Sequence, residues 1–317
     1  MAKKRRKNWF IRNWELFILP AFVLIPALYI LIDGYIENRL RKASNALDRS
    51  TIIFTSPDPN ASKETETYHE PDQLFEVSPD TNTASDLNLN EPLIALIIDD
   101  FGPALNRRVI KGFLDLDINI TIAVIPGNEK SVQTERDALS KGKEVIVHMP
   151  MEPIDSVYMD ERDMIYVGID SIGLKTLFDR VFSELSGAIG MNNHMGSKAT
   201  SDKHLMEMIA KELVTRNKYF VDSKTSPGSV GSSFMNSLGA DCIESDVFLD
   251  FSNDKEVIRK QLYKTIRIGK RRGWAVGIGH CRKKTLKVIK EEIDEIKREG
   301  IQFVFVSEMI EYIADKN

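Results

Sequence analysis

Most of the side chains that could do chemistry follow short apolar runs of the length expected for buried strands. Asp99 and Asp100 come directly after the run Leu93–Ile98, and His148 and His280 close two further runs. Parallel strands in a barrel bring their carboxyl ends to one rim, where the active sites of such barrels lie. We therefore expect these acidic and imidazole groups to meet at a single site.

The adjacent carboxylates of Asp99 and Asp100 have both a structural and a chemical interpretation. Aspartate is a common N-cap, so one of the two could simply cap the helix that follows. One helix needs only one cap, however, and two neighbouring carboxylates repel each other. A bound cation, or the use of one carboxylate as a base, offsets that repulsion, and we favour this chemical interpretation.

Two later segments add histidines and amides to the set. His148 lies in VIVHMPMEP with Glu152 four residues later, a spacing that suits two metal ligands or one ligand and a partner that orients it. The loop GMNNHMGS contributes His194 together with Asn192 and Asn193, whose amides could contact substrate or orient a ligand. The structural alternatives are a histidine that satisfies a backbone carbonyl and an asparagine turn.

Four further positions stay open from the sequence alone. Asp222, in YFVDSKTSP, suits a contact with a histidine or a substrate and equally a helix cap. His280 ends the run WAVGIGH and is either another ligand or the acid that protonates a leaving group. Asp246 and Asp250 suit either a loop cap or a substrate contact.

Carboxylates and imidazoles without a nearby thiolate predict a borderline divalent cation, with Zn²⁺ first and manganese, cobalt or nickel after it. Such an ion generates a nucleophilic hydroxide and polarises a carbonyl, so the set predicts a hydrolase of amides or esters. The chain has only 2 cysteines among 317 residues, which excludes a disulfide scaffold and a Cys-built zinc site. A net charge of −4 argues against a nucleic-acid partner.

From residue 91 onward, short apolar runs alternate with amphipathic helices such as Asp202–Arg216 and Thr285–Arg298. This alternation predicts right-handed βαβ units and a parallel sheet. Seven or eight repeats within about 225 residues favour a closed barrel over a doubly wound sheet. The predicted strands are Leu93–Ile98, Ile120–Ile125, Glu144–His148, Ala188–Asn192, Tyr219–Asp222, Asp241–Glu244, Trp274–Ile278 and Ile301–Val306.

The N-terminal part of the chain has three segments of different composition. Residues 1–13 are basic, and Leu16–Ile32 is a run of 17 residues without a charge, which is just long enough to cross a hydrocarbon core. We predict an uncleaved transmembrane anchor over 14–33 rather than a signal peptide, because charged residues follow the run without a cleavage signature. The acidic, polar stretch 34–90 predicts a disordered tether, which leaves 91–317 as the folded domain.

The charges on either side of the apolar run predict the topology. The basic segment before the anchor should stay in the cytoplasm. The chain is then a single-pass protein of the inner (cytoplasmic) membrane whose folded domain is extracytoplasmic or periplasmic.

The order of the motifs IALIIDDFG, VIVHMPMEP, GAIGMNNHMGS, FVDSKT and AVGIGH resembles that of the divergent polysaccharide deacetylase family, a branch of the carbohydrate esterase (NodB-like) deacetylase superfamily. The resemblance covers about residues 92–315. It implies a distorted (β/α)7-type parallel barrel behind the N-terminal transmembrane helix. It also implies metal-dependent removal of acetyl groups from a cell-envelope polysaccharide or peptidoglycan.

The resemblance implies roles for individual residues. Asp99 matches the catalytic base of the superfamily, and Asp100 matches its first metal ligand. His148 matches the first histidine of an H-x-x-x-H motif, but Glu152 stands at the second position. His194 is therefore our candidate for the missing imidazole, with Glu152 in reserve.

The last residue that matches the superfamily pattern is His280, near the C-terminal end of the chain. His280 matches the histidine of the terminal motif, which acts as an acid. Relatives commonly have proline after it, whereas this chain has Cys281, which could pair with Cys242 in an oxidising compartment or be inert. Because the second motif is altered, one alternative function stays open: a catalytically inactive barrel that binds glycan or an envelope partner.

Overall fold

A computed structural model describes residues 91–102, 106–155 and 164–316. The predicted basic segment, membrane anchor and acidic tether lie outside these residues. Within the described part, none of the helices has the length and apolar character that a membrane span requires.

The centre of the fold is one sheet in which all strand pairs are parallel. The described strands are β1 (Leu93–Phe101), β2 (Thr121–Val124), β3 (Glu144–Met151), β4 (Gly190–Met195), β5 (Tyr219–Asp222), β6 (Cys242–Glu244), β7 (Val247–Phe248), β8 (Trp274–His280) and β9 (Gln302–Val304). Their order across the sheet is β6-β5-β4-β3-β2-β1-β8-β7, and β9 also pairs with β1. The predicted parallel α/β architecture is confirmed.

Helices follow most of the strands, as βαβ units require. Those in the described residues are α1 (Arg107–Leu114), α2 (Glu129–Ser140), α3 (Ser171–Glu184), α4 (Lys203–Thr215), α5 (Gly231–Ser237), α6 (Lys255–Arg272), α7 (Lys283–Arg298) and α8 (Val306–Ala314). Local signals set the ends of these helices, as α6 illustrates. At its start, the Asp254 carboxylate accepts hydrogen bonds from free backbone N–H groups of the first turn. At its end, Gly273 has a φ of +92°, in the left-handed region that favours glycine.

Strand β1 explains why the sheet is buried on both faces. Ile94, Leu96 and Ile98 pack into the apolar cluster shared with the surrounding helices. The alternate residues Leu93 and Ile97 belong to a second cluster on the other face, together with residues of β8 and α8. Side chains alternate between the two faces of a strand, so a continuous apolar run is what such a two-sided burial needs.

The prediction of a closed barrel is wrong. Strands β6 and β7 are the edges of the sheet and are not paired with each other within the described residues. The Ser245 N–H donates to the Asp222 carbonyl beside β5, and the Asp246 N–H donates to the Val276 carbonyl of β8. The two residues Ser245 and Asp246 thus connect one edge of the sheet to the other. Neighbouring parallel strands need a crossover of a dozen or more residues, so β6 and β7 cannot pair with each other.

The eight predicted strands are all present; Tyr219–Asp222 has the predicted bounds, and the ends of the others shift by at most three residues. The ninth, Val247–Phe248, was missed because two residues are too few to show a period. Cys242 and Cys281 are both buried free thiols, so the disulfide that the sequence left open is not formed.

Candidate metal centre

A distortion at the end of β1 positions the two adjacent aspartates. The pairing register between β1 and β2 shifts between Ile98 and Phe101, and Asp100 has a positive φ of 66°. Few residues other than glycine adopt such a backbone, which is typical of functional sites. The Asp99 side chain is buried beneath the rim, whereas Asp100 is partly exposed above it.

Three predicted ligands converge above β1, β3 and β4. Asp100 Oδ1 lies 3.3 Å from His148 Nε2 and 3.3 Å from His194 Nδ1. The two imidazole nitrogens are 2.9 Å apart. Adjacent ligand atoms of a tetrahedral zinc ion are about 3.3 Å apart, because zinc bonds to nitrogen and oxygen are about 2.0–2.1 Å long. The triangle therefore has the size of one face of such a tetrahedron.

The register of the sheet places His194, our candidate for the histidine that the second motif lacks, beside His148. Strands β3 and β4 pair in parallel, with His148 opposite Asn192 and Pro150 opposite His194. His194 thus stands two positions further along the neighbouring strand, and its ring meets that of His148 edge to face at 4.8 Å between centroids.

Asn192 fixes the orientation of His148. Its amide nitrogen donates to Asp99 Oδ1 at 2.9 Å and to Ser223 Oγ at 3.3 Å, so its Oδ1 faces His148 Nδ1, 2.8 Å away. An amide oxygen can only accept, which places the imidazole proton on Nδ1. The lone pair of His148 Nε2 is then directed at the triangle, the arrangement that a metal-binding histidine requires.

The donor set fits a divalent cation. Asp100 Oδ1 is buried and has no hydrogen-bond partner among the described residues. A buried carboxylate oxygen without a donor is costly, and a cation between Asp100 and the two imidazoles would remove that cost. One carboxylate and two imidazoles without a thiolate suit zinc, and three protein ligands leave the fourth position for water or substrate, as in catalytic zinc sites.

The charges of this cluster perturb the pKa values of its members. Burial would raise the pKa of Asp100, but the neighbouring imidazoles of His148 and His194 outweigh it and hold the pKa well below its ordinary value. Burial would lower the pKa of His148, but the negative charges of Asp99 and Asp100 raise it to about 8. Asp99 behaves differently: burial raises its pKa, and His148 and Asn192 only partly counteract that effect.

His280 lies across the site at the end of β8. Its Nε2 is 4.0 Å from Asp100 Oδ2, and its Nδ1 is 2.6 Å from Asp250 Oδ1. Asp250 is fully buried and also accepts hydrogen bonds from the His280 N–H and from Thr285 Oγ1. Burial alone would lower the pKa of His280, but the hydrogen bond and charge of Asp250 hold it above its ordinary value.

The sequence left Asp250 open between a loop cap and a substrate contact, and the structure makes it the partner of His280. It lies two residues after the short strand β7. Two features of the sequence point to this pairing. A histidine that acts as an acid needs a carboxylate partner, and the acid-rich segment ESDVFLDFSND precedes the strand that ends in His280.

Glu152 lies outside the triangle. Its Oε1 forms an ion pair with Lys198 Nζ at 2.6 Å, and its Oε2 accepts from the Val167 N–H at 2.8 Å. Its carbonyl oxygen accepts from the N–H groups of Lys198 and Ala199. The residue therefore ties the end of β3 to the loop that follows His194.

Two other predicted residues organise the loops of the rim. Asn193 lines the cleft, with its Oδ1 accepting from the Ser223 N–H and its Nδ2 donating to the Met195 carbonyl. Asp222 is buried and accepts from the Lys224 N–H and from Ser229 Oγ. Its carboxylate shapes the loop after β5 and does not line the cleft.

Comparison with known proteins identifies relatives of the folded part. A protein of Haemophilus influenzae that is described as uncharacterized is 29% identical over 211 residues, which are 67% of this chain and 74% of that protein. The uncharacterized protein YibQ of Escherichia coli K12 is 30% identical over 213 residues, 65% of each chain.

A solved structure has the same fold. The crystal structure of an uncharacterized protein of Agrobacterium tumefaciens C58 matches with a TM-score of 0.63 at 21% identity, covering 69% of this chain and 89% of that one. The family model described as divergent polysaccharide deacetylase matches residues 96–310, about two thirds of the chain. The chain therefore belongs to the divergent polysaccharide deacetylase family.

Proposed function

We propose that this protein is a metal-dependent hydrolase that removes acetyl groups from a cell-envelope glycan, a polysaccharide or peptidoglycan. One observation carries the proposal: Asp100, His148 and His194 form a possible ligand triangle. The buried carboxylate of Asp99 lies 3.8 Å from His148, and the imidazole of His280, which Asp250 holds, lies 4.0 Å from Asp100. Membership in the deacetylase family supports the choice of an acetyl group on a carbohydrate.

Asp100, His148 and His194 would hold the cation, for which zinc is the best match. The bound ion would supply Lewis acidity, polarising the acetyl carbonyl and lowering the pKa of a water molecule. The other roles belong to side chains of this chain. Asn192 keeps His148 in the required tautomer through its hydrogen bond to Nδ1.

Asp99 is the proposed general base. As water attacks the acetyl carbonyl carbon, its proton passes to a carboxylate oxygen of Asp99. Burial raises the pKa of this group, which makes it a stronger base than an exposed aspartate. Asn192 holds the carboxylate in place by donating to Oδ1.

His280 is the proposed general acid. Its Nδ1 is engaged by Asp250, so Nε2 is the atom that faces the cleft. Nε2 gives its proton to the departing nitrogen or oxygen of the sugar as the bond to the acetyl carbon breaks. The products are acetate and a sugar with a free amine or hydroxyl. Asp250 stabilises the protonated imidazole before the transfer, which agrees with the raised pKa of His280.

Acetate release from acetylated envelope glycans tests this function directly. With the purified full chain and saturating zinc, we expect release that stops on chelation and returns with metal. Asp99→Asn should lower the rate by ~10²–10⁴-fold, the usual cost of losing a general base. His280→Ala should cost a similar factor for an amide and less for an activated ester, whose leaving group needs no proton.

Two results would contradict the proposal. Equal rates for wild type, Asp99→Asn and His280→Ala would reject both catalytic roles. Glycan binding without acetate release in the wild type, unaffected by Asp99→Asn, would instead favour an inactive barrel that binds glycan or an envelope partner.

We also propose that residues 14–33 anchor the chain in the inner membrane and that the deacetylase domain works on the extracytoplasmic side. The basic segment 1–13 and the uncharged run after it support this topology. A reporter enzyme that is active only outside the cytoplasm, fused after Asn317, should be active. A fusion active only in the cytoplasm would overturn the topology and the choice of an envelope substrate.

A further inference from the structure

The cleft above the site carries one strong cation whose charge the deacetylase mechanism does not use. The cleft has a volume of about 480 Å³ and is lined by the proposed catalytic groups and by Arg282, among others. Of its lining residues in the described part, Arg282 alone has a side chain that is positively charged at every physiological pH.

Arg282 is held at the edge of the cleft by its neighbours. It is the residue before the first turn of α7, and its side-chain Nη1 donates to the Asp250 carbonyl oxygen at 3.0 Å. The same Asp250 holds His280 through its carboxylate. The guanidinium group is therefore fixed relative to the proposed acid, with 45% of the side chain still exposed.

Within the described residues, Arg282 has one ion pair, and it is long. Its nearest carboxylate oxygen is Asp250 Oδ2 at 4.0 Å, and that oxygen already accepts from the His280 N–H and from Thr285 Oγ1. The single hydrogen bond of the guanidinium group there goes to a backbone oxygen. Its other N–H donors make no hydrogen bond to the described residues, and we assign them to a ligand.

The positive charge of Arg282 makes this edge of the cleft attractive to an anion. A guanidinium group presents parallel N–H donors that match the two oxygens of a carboxylate.

We propose that the site takes an acetylated sugar that also carries a carboxylate, and that Arg282 binds this carboxylate. The proposal deepens the deacetylase function and rests on it for the acetyl group. The carboxylate belongs on the same sugar ring or the next one, because Arg282 and His280 line a single cleft.

Binding of matched sugars to the zinc-loaded full chain tests the proposal. The probes are N-acetylmuramic acid, its methyl ester and N-acetylglucosamine, which share the acetyl group and differ in the carboxylate. We expect the acid to bind about tenfold more tightly than either neutral sugar, the order expected for a partly exposed charge-assisted hydrogen bond. This preference should weaken as salt is added.

Variants test whether Arg282 causes the preference for the acidic sugar. Arg282→Gln should remove the preference for the acid and leave the affinity for the neutral sugars unchanged, and Arg282→Lys should keep part of it. Lys283→Gln is the matched control, since it removes the same charge one residue away at an exposed position outside the cleft, and it should preserve the preference.

Three outcomes would overturn the proposal. The first is equal affinity of the wild type for the acid and its ester, and the second is no binding of the acid at millimolar concentration. The third is an Arg282→Gln variant whose kcat for deacetylation falls equally on acidic and neutral substrates. The last result would assign Arg282 to the transition state. Failure of the deacetylase function is distinguishable: no acetate would be released from any substrate, while the carboxylate preference would persist in binding.

Discussion

Each end of the sheet has a carboxylate with a buried oxygen, and the surroundings of the two oxygens differ. At the amino end, Glu144 on β3 accepts hydrogen bonds through Oε1 from Thr121 Oγ1 and Tyr219 OH, each at 2.7 Å, and from the Val306 N–H. Its Oε2 accepts from Ser307. At the carboxyl end, Asp100 Oδ1 has no donor among the described residues and faces two imidazole nitrogens.

This difference separates a structural carboxylate from the proposed metal ligand. The donors around Glu144 satisfy the group within the protein and join β2, β3 and β5 to the start of α8. Asp100 lies at the rim where parallel barrels place their active sites, and we propose that it binds a cation there. Glu144 is buried and Asp100 is partly exposed, and their hydrogen-bond partners differ as well: Glu144 has several donors, whereas Asp100 Oδ1 has none among the described residues.

Backbone conformation also distinguishes the carboxyl end of the sheet from the amino end. Four residues other than glycine have a positive φ within the described part of the chain, and three of them lie at the carboxyl ends of β1, β4 and β5. These three are Asp100, Met195 and Lys224. Unfavourable backbone conformations of this kind collect at functional sites, where the surrounding structure holds them in place.

The largest expected effect at the amino end is on stability. Glu144→Gln replaces a carboxylate that accepts from hydroxyl and N–H groups with an amide that must present two of its own donors. We expect the free energy of unfolding to fall by about 1–3 kcal/mol, the cost of leaving a buried polar group unsatisfied. Chemical denaturation measures this change. A Glu144→Gln variant with wild-type stability would remove the structural role that we assign to this carboxylate.

The stability difference should depend on pH. Burial raises the pKa of Glu144 above its usual value of 4.5, and the donors of Ser307, Tyr219 and Thr121 only partly counteract it. A raised folded-state pKa favours the protonated form, so this contribution to stability is complete below about pH 4.5 and is lost as the pH rises toward the folded-state pKa. The advantage of wild type over Glu144→Gln should therefore shrink over that range. An advantage that grows with pH would mean that the donors, not burial, dominate this pKa.

We expect Glu152→Gln to have smaller effects on stability and on metal affinity. Glu152 lies at the carboxyl end of the sheet but outside the ligand triangle. Glu152→Gln removes an ion pair with the half-exposed Lys198, and such pairs contribute about 0–1 kcal/mol. Because the side chain touches the loop after His194 and not the ligand atoms, metal affinity should fall by less than ~10-fold, below the usual cost of removing an outer-shell partner. Isothermal titration with zinc measures it. A loss as large as that of His194→Ala would make Glu152 a direct ligand.

The sequence was most informative where one strand or one motif carries the signal. Continuous apolar runs marked the strands, and the polar residues that follow them marked Asp99, Asp100, His148 and His280. The placement of His194 beside His148 depends on the register of β3 against β4, which a single sequence does not contain. The same holds for Asp250, whose pairing with His280 joins two segments 30 residues apart.

The open edge of the sheet could not be predicted for a related reason. Counting repeats gives the number of strands but not whether two consecutive strands such as β6 and β7 pair with each other. Ser245 and Asp246 decide that point through backbone hydrogen bonds to opposite edges of the sheet, and no side-chain pattern reports these bonds.

Zinc affinity of the purified full chain is the most direct test of the contrast between Asp100 and Glu144. We expect about one ion per chain, and Asp100→Ala, His148→Ala and His194→Ala should each weaken binding by at least ~10–100-fold, since direct ligands matter no less than outer-shell partners. Glu144→Gln should bind zinc like wild type despite its lower stability. Full zinc retention by a His148→Ala/His194→Ala double variant, or an equal loss in Glu144→Gln, would contradict the account.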